Sequence, residues 1–106
     1  MMIKAIDTLG EQLPHAFYIA NDPMAVGAIK ALQERDIEIP ARVSLISFND
    51  TSIASYIFPG LSSVKVHTEE MGETAVGLMA EQIEKSRNYV KKIVLGNQLV
   101  LRNSTK

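Results

Sequence analysis

Short apolar runs alternate along the chain with segments whose apolar positions recur every three or four residues, the pattern of strands alternating with helices. Ile3, Ile6, Leu9 and Leu13 fall on one helical face and Leu13-Pro14 closes it, so residues 3–13 are predicted as an amphipathic helix. Ala16–Ala20 (AFYIA) is a continuous apolar run, predicted as a strand buried on both faces. Asp22-Pro23 then supplies an N-cap and a first-turn proline for a helix of about Pro23–Arg35. Ala25, Val26, Ile29 and Leu32 form its apolar stripe, and Gly27 points to close approach of another backbone. Val43–Phe48 (VSLISF) reads as a second buried strand. After a loop over Asn49–Gly60, Leu61–Val66 is a third strand-like segment. A helix of about Glu69–Arg87 follows, acidic in its first turn, with Met71, Ala75, Leu78, Met79 and Ile83 on one stripe. Lys92–Leu95 and Gln98–Arg102, separated by Gly96-Asn97, are predicted as a hairpin.

Strand, helix and strand in this order predict an α/β fold built on a βαβ unit with parallel strands. Parallel neighbours bring their C-terminal ends to one edge of the sheet, where open α/β sheets bind ligands. Both central runs end in the same dipeptide: AFYIANDPMAVG over residues 16–27 and VSLISFNDTS over residues 43–52. The two Asn-Asp pairs are therefore predicted to be neighbours.

Composition narrows the function classes. The chain has 106 residues, 46% of them hydrophobic and 22% charged, with a net charge of -1. That is one small domain without the Lys and Arg excess that gripping DNA or an acidic membrane requires. Cysteine is absent, which removes disulfides and thiolate chemistry. No apolar stretch reaches membrane-spanning length and no cleavable leader is visible. Met2–Ile6 reads as helix interior with no capping signal before it, so the chain is expected to be a piece of a larger protein.

Catalytic patterns are missing. No GxGxxG, P-loop, HExxH or GxSxG spacing occurs, and His15 and His67 stand alone. No catalytic residue, metal or cofactor is assigned, and the chain is read as a non-enzyme. What remains is Asn21, Asp22, Asn49 and Asp50. An Asn amide both donates and accepts and a carboxylate accepts, a mixture that suits polyol hydroxyls. The cationic fork that phosphate or carboxylate ligands want is not among them. Asp22 reads as a helix N-cap and Asp50-Thr51-Ser52 as turn chemistry, which leaves Asn21 and Asn49 as the pair better placed to face a cleft. Ile53, Tyr56, Ile57 and Phe58 are too apolar for a free loop tip and form either internal packing or a partner surface.

IANDPMAVGAIKALQERDIEIPARVSLISFND, followed by FPGLSSV, EEMG and LVLRNST, resembles the effector-binding domain of LacI/GalR-family bacterial transcription regulators over about Ala5–Thr105. SFND and VKVHTEEMG look most like the galactose or β-galactoside regulators of that family. The resemblance implies a periplasmic-binding-protein-like (type I) parallel-sheet fold, partial and mostly C-terminal wing. Residues 1–64 would belong to that wing, 65–95 to the N-terminal wing, and 96–106 to a return strand and tail. It implies a ligand-binding group of Asn21, Phe48, Asn49 and Asp50. Asn21 falls on the Asn of the family's AND motif, and Asn49 falls where the family usually has the first Asp of GFDD. A homodimer face would come from Met24, Gly27 and Ala28 on the helix and Ile53, Tyr56, Ile57 and Phe58 in the loop. Leu61, Ser62, Ser63 and Val64 would form a crossover between wings. The implied protein is a cytoplasmic, sugar-responsive repressor that meets operator DNA only through a helix-turn-helix headpiece absent from this sequence, with no membrane partner. The alternative is a periplasmic sugar-binding protein of a transport system; a nucleotide-using enzyme would need a Gly-rich loop after a strand.

Overall fold

The first helix is shorter than its sequence pattern. In the computed structural model, which describes all 106 residues, α1 spans Met2–Leu9 and gives way to a 3-10 turn over Gly10–Gln12. Gly10 sits at φ 52, a left-handed conformation that glycine adopts without a Cβ clash. The break re-aims the buried face. Leu13 enters the core with Met2, Ala5 and Ile6 packed beside it, whereas Ile3 and Leu9 remain exposed.

Strand β1 is only Ala16–Tyr18, and it forms one edge of a four-stranded sheet. Phe17 packs on the core while Tyr18 is 65% exposed, so the expectation of burial on both faces fails. Side chains alternate between the two faces of the strand, and the face that carries Ala16 and Tyr18 is the exposed one. Helix α2 spans Asp22–Glu34 and buries Ala25, Ala28, Ile29, Ala31 and Leu32. The buried stripe is thus shifted from the predicted one, with Val26 only half-buried. Space for a Cβ is open at Gly27, so no backbone of this chain approaches it.

β2 spans Ser44–Asn49 and lies between β1 and β3 (Ser62–Lys65), parallel to both. Between β2 and β3 the chain forms a five-residue helix, α3 (Ser52–Tyr56), where the sequence presents a loop. Ala54 explains it: this small residue is fully buried, and its carbonyl accepts the Leu61 N–H at 2.9 Å. The core comprises Leu13, Ala25, Ile29, Leu32, Val43, Leu45, Ala54 and Leu61.

The predicted hairpin does not form. Residues 92–95 make no strand, and β4 (Gln98–Val100) instead pairs antiparallel with β3, Lys65 opposite Gln98 and Ser63 opposite Val100. The sheet order is β1-β2-β3-β4, which makes it mixed, not wholly parallel. An unpaired edge of β3 would leave backbone donors and acceptors unsatisfied, and β4 supplies their partners. Beyond β4 the tail is stitched to the sheet. The Leu45 N–H donates to the Ser104 carbonyl at 2.9 Å, and the Ser104 hydroxyl donates back to the Leu45 carbonyl at 2.7 Å.

The contacts divide the chain into two units: Met1–Lys65 with Gln98–Lys106, and Val66–Asn97. The second contains α4 (Thr68–Glu84), none of whose residues is buried. Glu69 and Glu70 lie in its first turn, where negative charge suits the helix dipole. Near its end Glu81 takes Arg87 at 2.9 Å and Lys91 at 3.1 Å, and these cations hold its carboxyl below the usual range. No helix is long and apolar enough to cross a membrane.

Leu45 is fully buried in the central strand, so Leu45→Ala is expected to remove about 2–5 kcal/mol of stability. Urea unfolding monitored by circular dichroism measures it.

Candidate functional site

Because β1 and β2 are parallel and adjacent, their C-terminal ends meet, and with them the two Asn-Asp dipeptides. Register pairs Tyr18 with Ile46, and the Ile19 N–H continues the ladder onto the Ile46 carbonyl at 2.8 Å. Within each dipeptide the division of labour differs from the sequence expectation. Asn21, not Asp22, is the N-cap of α2: its Oδ1 accepts the Met24 N–H at 3.0 Å. The cap moves one residue upstream because Asp22 is already helical and its carboxylate is needed elsewhere.

Asp22 is completely buried. Its Oδ1 accepts the hydroxyls of Ser47 on β2 and, at 3.0 Å, Ser63 on β3. Its Oδ2 accepts the Thr51 N–H at 2.6 Å and the Thr51 hydroxyl at 2.8 Å. Burial alone would raise this carboxyl. The hydrogen bonds from Ser47, Thr51 and Ser63 favour the ionised form more strongly, and the net shift is downward. One carboxylate therefore ties the start of α2, two strands and the turn before α3.

The second dipeptide sits on strained backbone. Asn49 has φ 103 and Asp50 has φ 53, conformations that cost a non-glycine residue about 1–3 kcal/mol. Asn49 is exposed at the end of β2, with Phe48 half-buried before it. Asp50 is engaged within the chain. Its N–H donates to the Ser63 hydroxyl oxygen at 3.0 Å, and its carboxylate takes the Arg102 guanidinium at 2.6 Å. Arg102 is thus a cation beside the site that no sequence pattern announced; only the order of the strands carries it there from the far end of the chain.

Of the predicted dimer face, Tyr56 is 84% exposed and Phe58 83%, with Met24, Gly27 and Ile53 also exposed. Ala28 is buried in α2 and Ile57 is half-buried against the core, so both offer less surface than the others. Of the predicted crossover, Leu61, Ser62 and Ser63 are fully buried inside the first unit, and its boundary falls after Lys65. An apolar groove of about 560 Å³, lined by Met2, Phe17, Tyr18, Met24 and Gly27 among others, lies beside β1 and does not reach Asn49.

The C-terminal ends of β1 and β2 thus carry a buried, hydrogen-bonded carboxylate, Asp22, close to the two asparagines. Their chemistry agrees with what the chain resembles among known proteins. The family described as "Periplasmic binding protein-like domain" matches residues 1–105. The chain is 45% identical over 105 residues to the HTH-type transcriptional regulator GalR of Lacticaseibacillus casei, covering 99% of this chain and 32% of that protein. It is 46% identical over 104 residues to the HTH-type transcriptional regulator GanR of Bacillus subtilis (strain 168), covering 98% of this chain and 32% of that protein. The chain belongs to the LacI/GalR family. It spans about a third of the length of these two regulators. Its fold matches the crystal structure of the Lac repressor dimer bound to operator and the anti-inducer ONPF with a TM-score of 0.84 at 28% identity, over 96% of this chain and 36% of that one. The LacI/GalR match and the mixed sheet together establish a periplasmic-binding-protein-like α/β fold fragment.

Asp22→Ala leaves four donors facing a void and is expected to cost about 2–4 kcal/mol. The lowered carboxyl also fixes a sign for pH. Its contribution is fully present above the ordinary value of 3.8 and is lost as pH falls below it towards the folded value. Urea midpoints measured from pH 6 down to about pH 3 are expected to fall less steeply for Asp22→Asn than for the unmodified protein.

Proposed function

We propose that this chain is the effector-binding and dimerisation part of a sugar-responsive transcriptional repressor. The observation that carries this reading is the coincidence of two findings: similarity to helix-turn-helix regulators along nearly the whole chain, and two asparagines at the C-terminal edge of parallel strands. Residues 1–64 with 96–106 belong, on this reading, to the C-terminal wing, and 65–95 contribute to the N-terminal wing. Asn21 and Asn49 bond sugar hydroxyls, Phe48 lies against the sugar ring, and the effector is galactose or a galactoside. Sugar and operator DNA favour different wing arrangements, so each weakens or strengthens the other's binding reciprocally. Operator contact belongs, on this reading, to a helix-turn-helix part such as the one the relatives are named for, and the protein acts in the cytoplasm. Transport would use the same fold. The names of these relatives, transcriptional regulators or a repressor, favour regulation over transport.

The direct test is thermal denaturation of the full natural protein with D-galactose, lactose and methyl β-D-galactoside. At least one is expected to raise the melting temperature, and no shift with any of them refutes a galactoside effector. Because Asn49 holds φ 103, glycine removes its amide without adding strain. Asn49→Gly is expected to weaken the active sugar about tenfold, the loss of roughly 1.4 kcal/mol of hydrogen bonding, with the melting temperature of the unliganded protein little changed.

Tyr56 and Phe58 are the exposed aromatic groups that suit a homodimer face. Tyr56→Asp combined with Phe58→Asp is expected to shift the protein from dimer to monomer in sedimentation velocity. An unaltered sedimentation coefficient would remove these residues from the interface.

A further inference from the structure

Two consecutive non-glycine residues at positive φ, Asn49 and Asp50, persist only where the surroundings over-determine them. Three ties hold this turn. Thr51 donates its N–H to Asp22 and Asp50 donates its N–H to Ser63, both within the strand-end network. The third comes from a distant part of the sequence: Arg102 grips the Asp50 carboxylate at 2.6 Å. That arginine is itself fixed on several sides. Its guanidinium also donates to the Leu61 carbonyl at 2.8 Å, and its N–H donates to the Ser62 hydroxyl oxygen at 2.8 Å. Its Cβ and Cδ lie 3.5 Å from where a Cβ on Gly60 would stand. The two charged side chains are mostly buried, 23% exposed for Arg102 and 10% for Asp50, so water competes weakly for the pair. Lys65 and Gln98, the points where the backbone leaves and re-enters this unit, pair in the strand register that leads to Arg102.

We propose that Arg102 is a positioning residue for effector binding: its ion pair to Asp50 holds the Asn49–Asp50 turn in the left-handed conformation that presents the Asn49 amide to the ligand. Arg102 does not touch the sugar in this scheme. The inference rests on the sugar-binding reading of Asn49 and adds the cause of its orientation. It also explains why a cation sits beside a site whose ligand is uncharged: the charge is consumed by Asp50.

Isothermal titration of D-galactose and lactose into the full natural protein tests it. Arg102→Ala is expected to weaken binding at least about tenfold. Adding Asp50→Gly in that background removes both the unpaired carboxylate and the backbone penalty, since glycine adopts positive φ freely. The double variant is expected to recover affinity to within about threefold of the unmodified protein. A residue that merely supports the fold, or one that contacts the sugar, gives no such rescue. Arg102→Ala binding as tightly as the unmodified protein overturns the proposal, and so does a double variant no tighter than the single. If Arg102→Ala fails to melt cooperatively, Arg102→Gln, which keeps the stem against Gly60 and an amide donor, takes its place in the same comparison. Absence of galactoside binding by the unmodified protein overturns this inference together with the sugar-binding reading. Binding that Arg102→Ala leaves intact overturns the inference alone.

Discussion

A buried carboxylate cannot be left half-satisfied, and the first unit is arranged around that constraint. Ionised Asp22 in an apolar interior would be costly without partners. Four hydrogen bonds answer the cost, and each comes from a different part of the local structure or a different atom of it: Ser47, Ser63, and the N–H and hydroxyl of Thr51. Satisfying them fixes where α2 starts, which strands flank it and where the turn after β2 must pass. The apolar core, by contrast, sets no direction of its own. Leu45, Ile29 and Leu61 could shift together by small amounts, but a carboxylate with both oxygens engaged cannot.

The same polar logic continues across β3. Alternation along a strand sends Ser62 and Ser63 to opposite faces. Ser63 joins the Asp22 network, while the Ser62 hydroxyl accepts the Arg102 N–H and lies 2.7 Å from the Thr105 hydroxyl. One strand thus binds the strand-end edge on one side and the returning tail on the other. The polar character of β3 is a requirement of its position between two hydrogen-bonding partners. A more apolar strand would bury more area and satisfy neither.

These features decide how much the sequence disclosed. Hydrophobic periodicity revealed β1, α2, β2, β3 and α4, because each carries its signal within a few neighbouring residues. The adjacency of the two Asn-Asp dipeptides followed from βαβ order alone. What was not legible depends on partners remote in sequence. Asp22 before Pro23 looks like a cap, since the capping preference is local and the positions of Ser47, Thr51 and Ser63 are not. Gln98–Val100 looks like half of a hairpin because Gly96-Asn97 is a strong turn signal, yet the open edge of β3 is the better partner. Ala54 looks like loop because α3 is only five residues long and derives its stability from burial, not from periodicity. The family resemblance brought Asn21 and Asn49 into view but could not show that the two amides are differently engaged.

That difference bears on what the edge can recognise. The Oδ1 of Asn21 already accepts the Met24 N–H, and a backbone donor cannot be satisfied by the amide nitrogen, so the orientation of this side chain is settled. Towards a ligand Asn21 then offers mainly donors. Asn49 caps no helix and keeps both an acceptor and donors for use. Asp50, the remaining acid, is neutralised by Arg102. On the proposed reading the edge is donor-rich on the α2 side, and it accepts hydrogen bonds chiefly through Asn49. A hydroxyl matches this arrangement because it can rotate its hydrogen to donate at one position and accept at the next. A cationic ligand would face donors at Asn21, and an anionic one would have to compete with Asp50 for a guanidinium already bound on two sides. On the proposed reading, selectivity for an uncharged polyol arises less from the asparagines themselves than from the cap at Asn21 and the ion pair at Asp50, which already occupy the neighbouring groups.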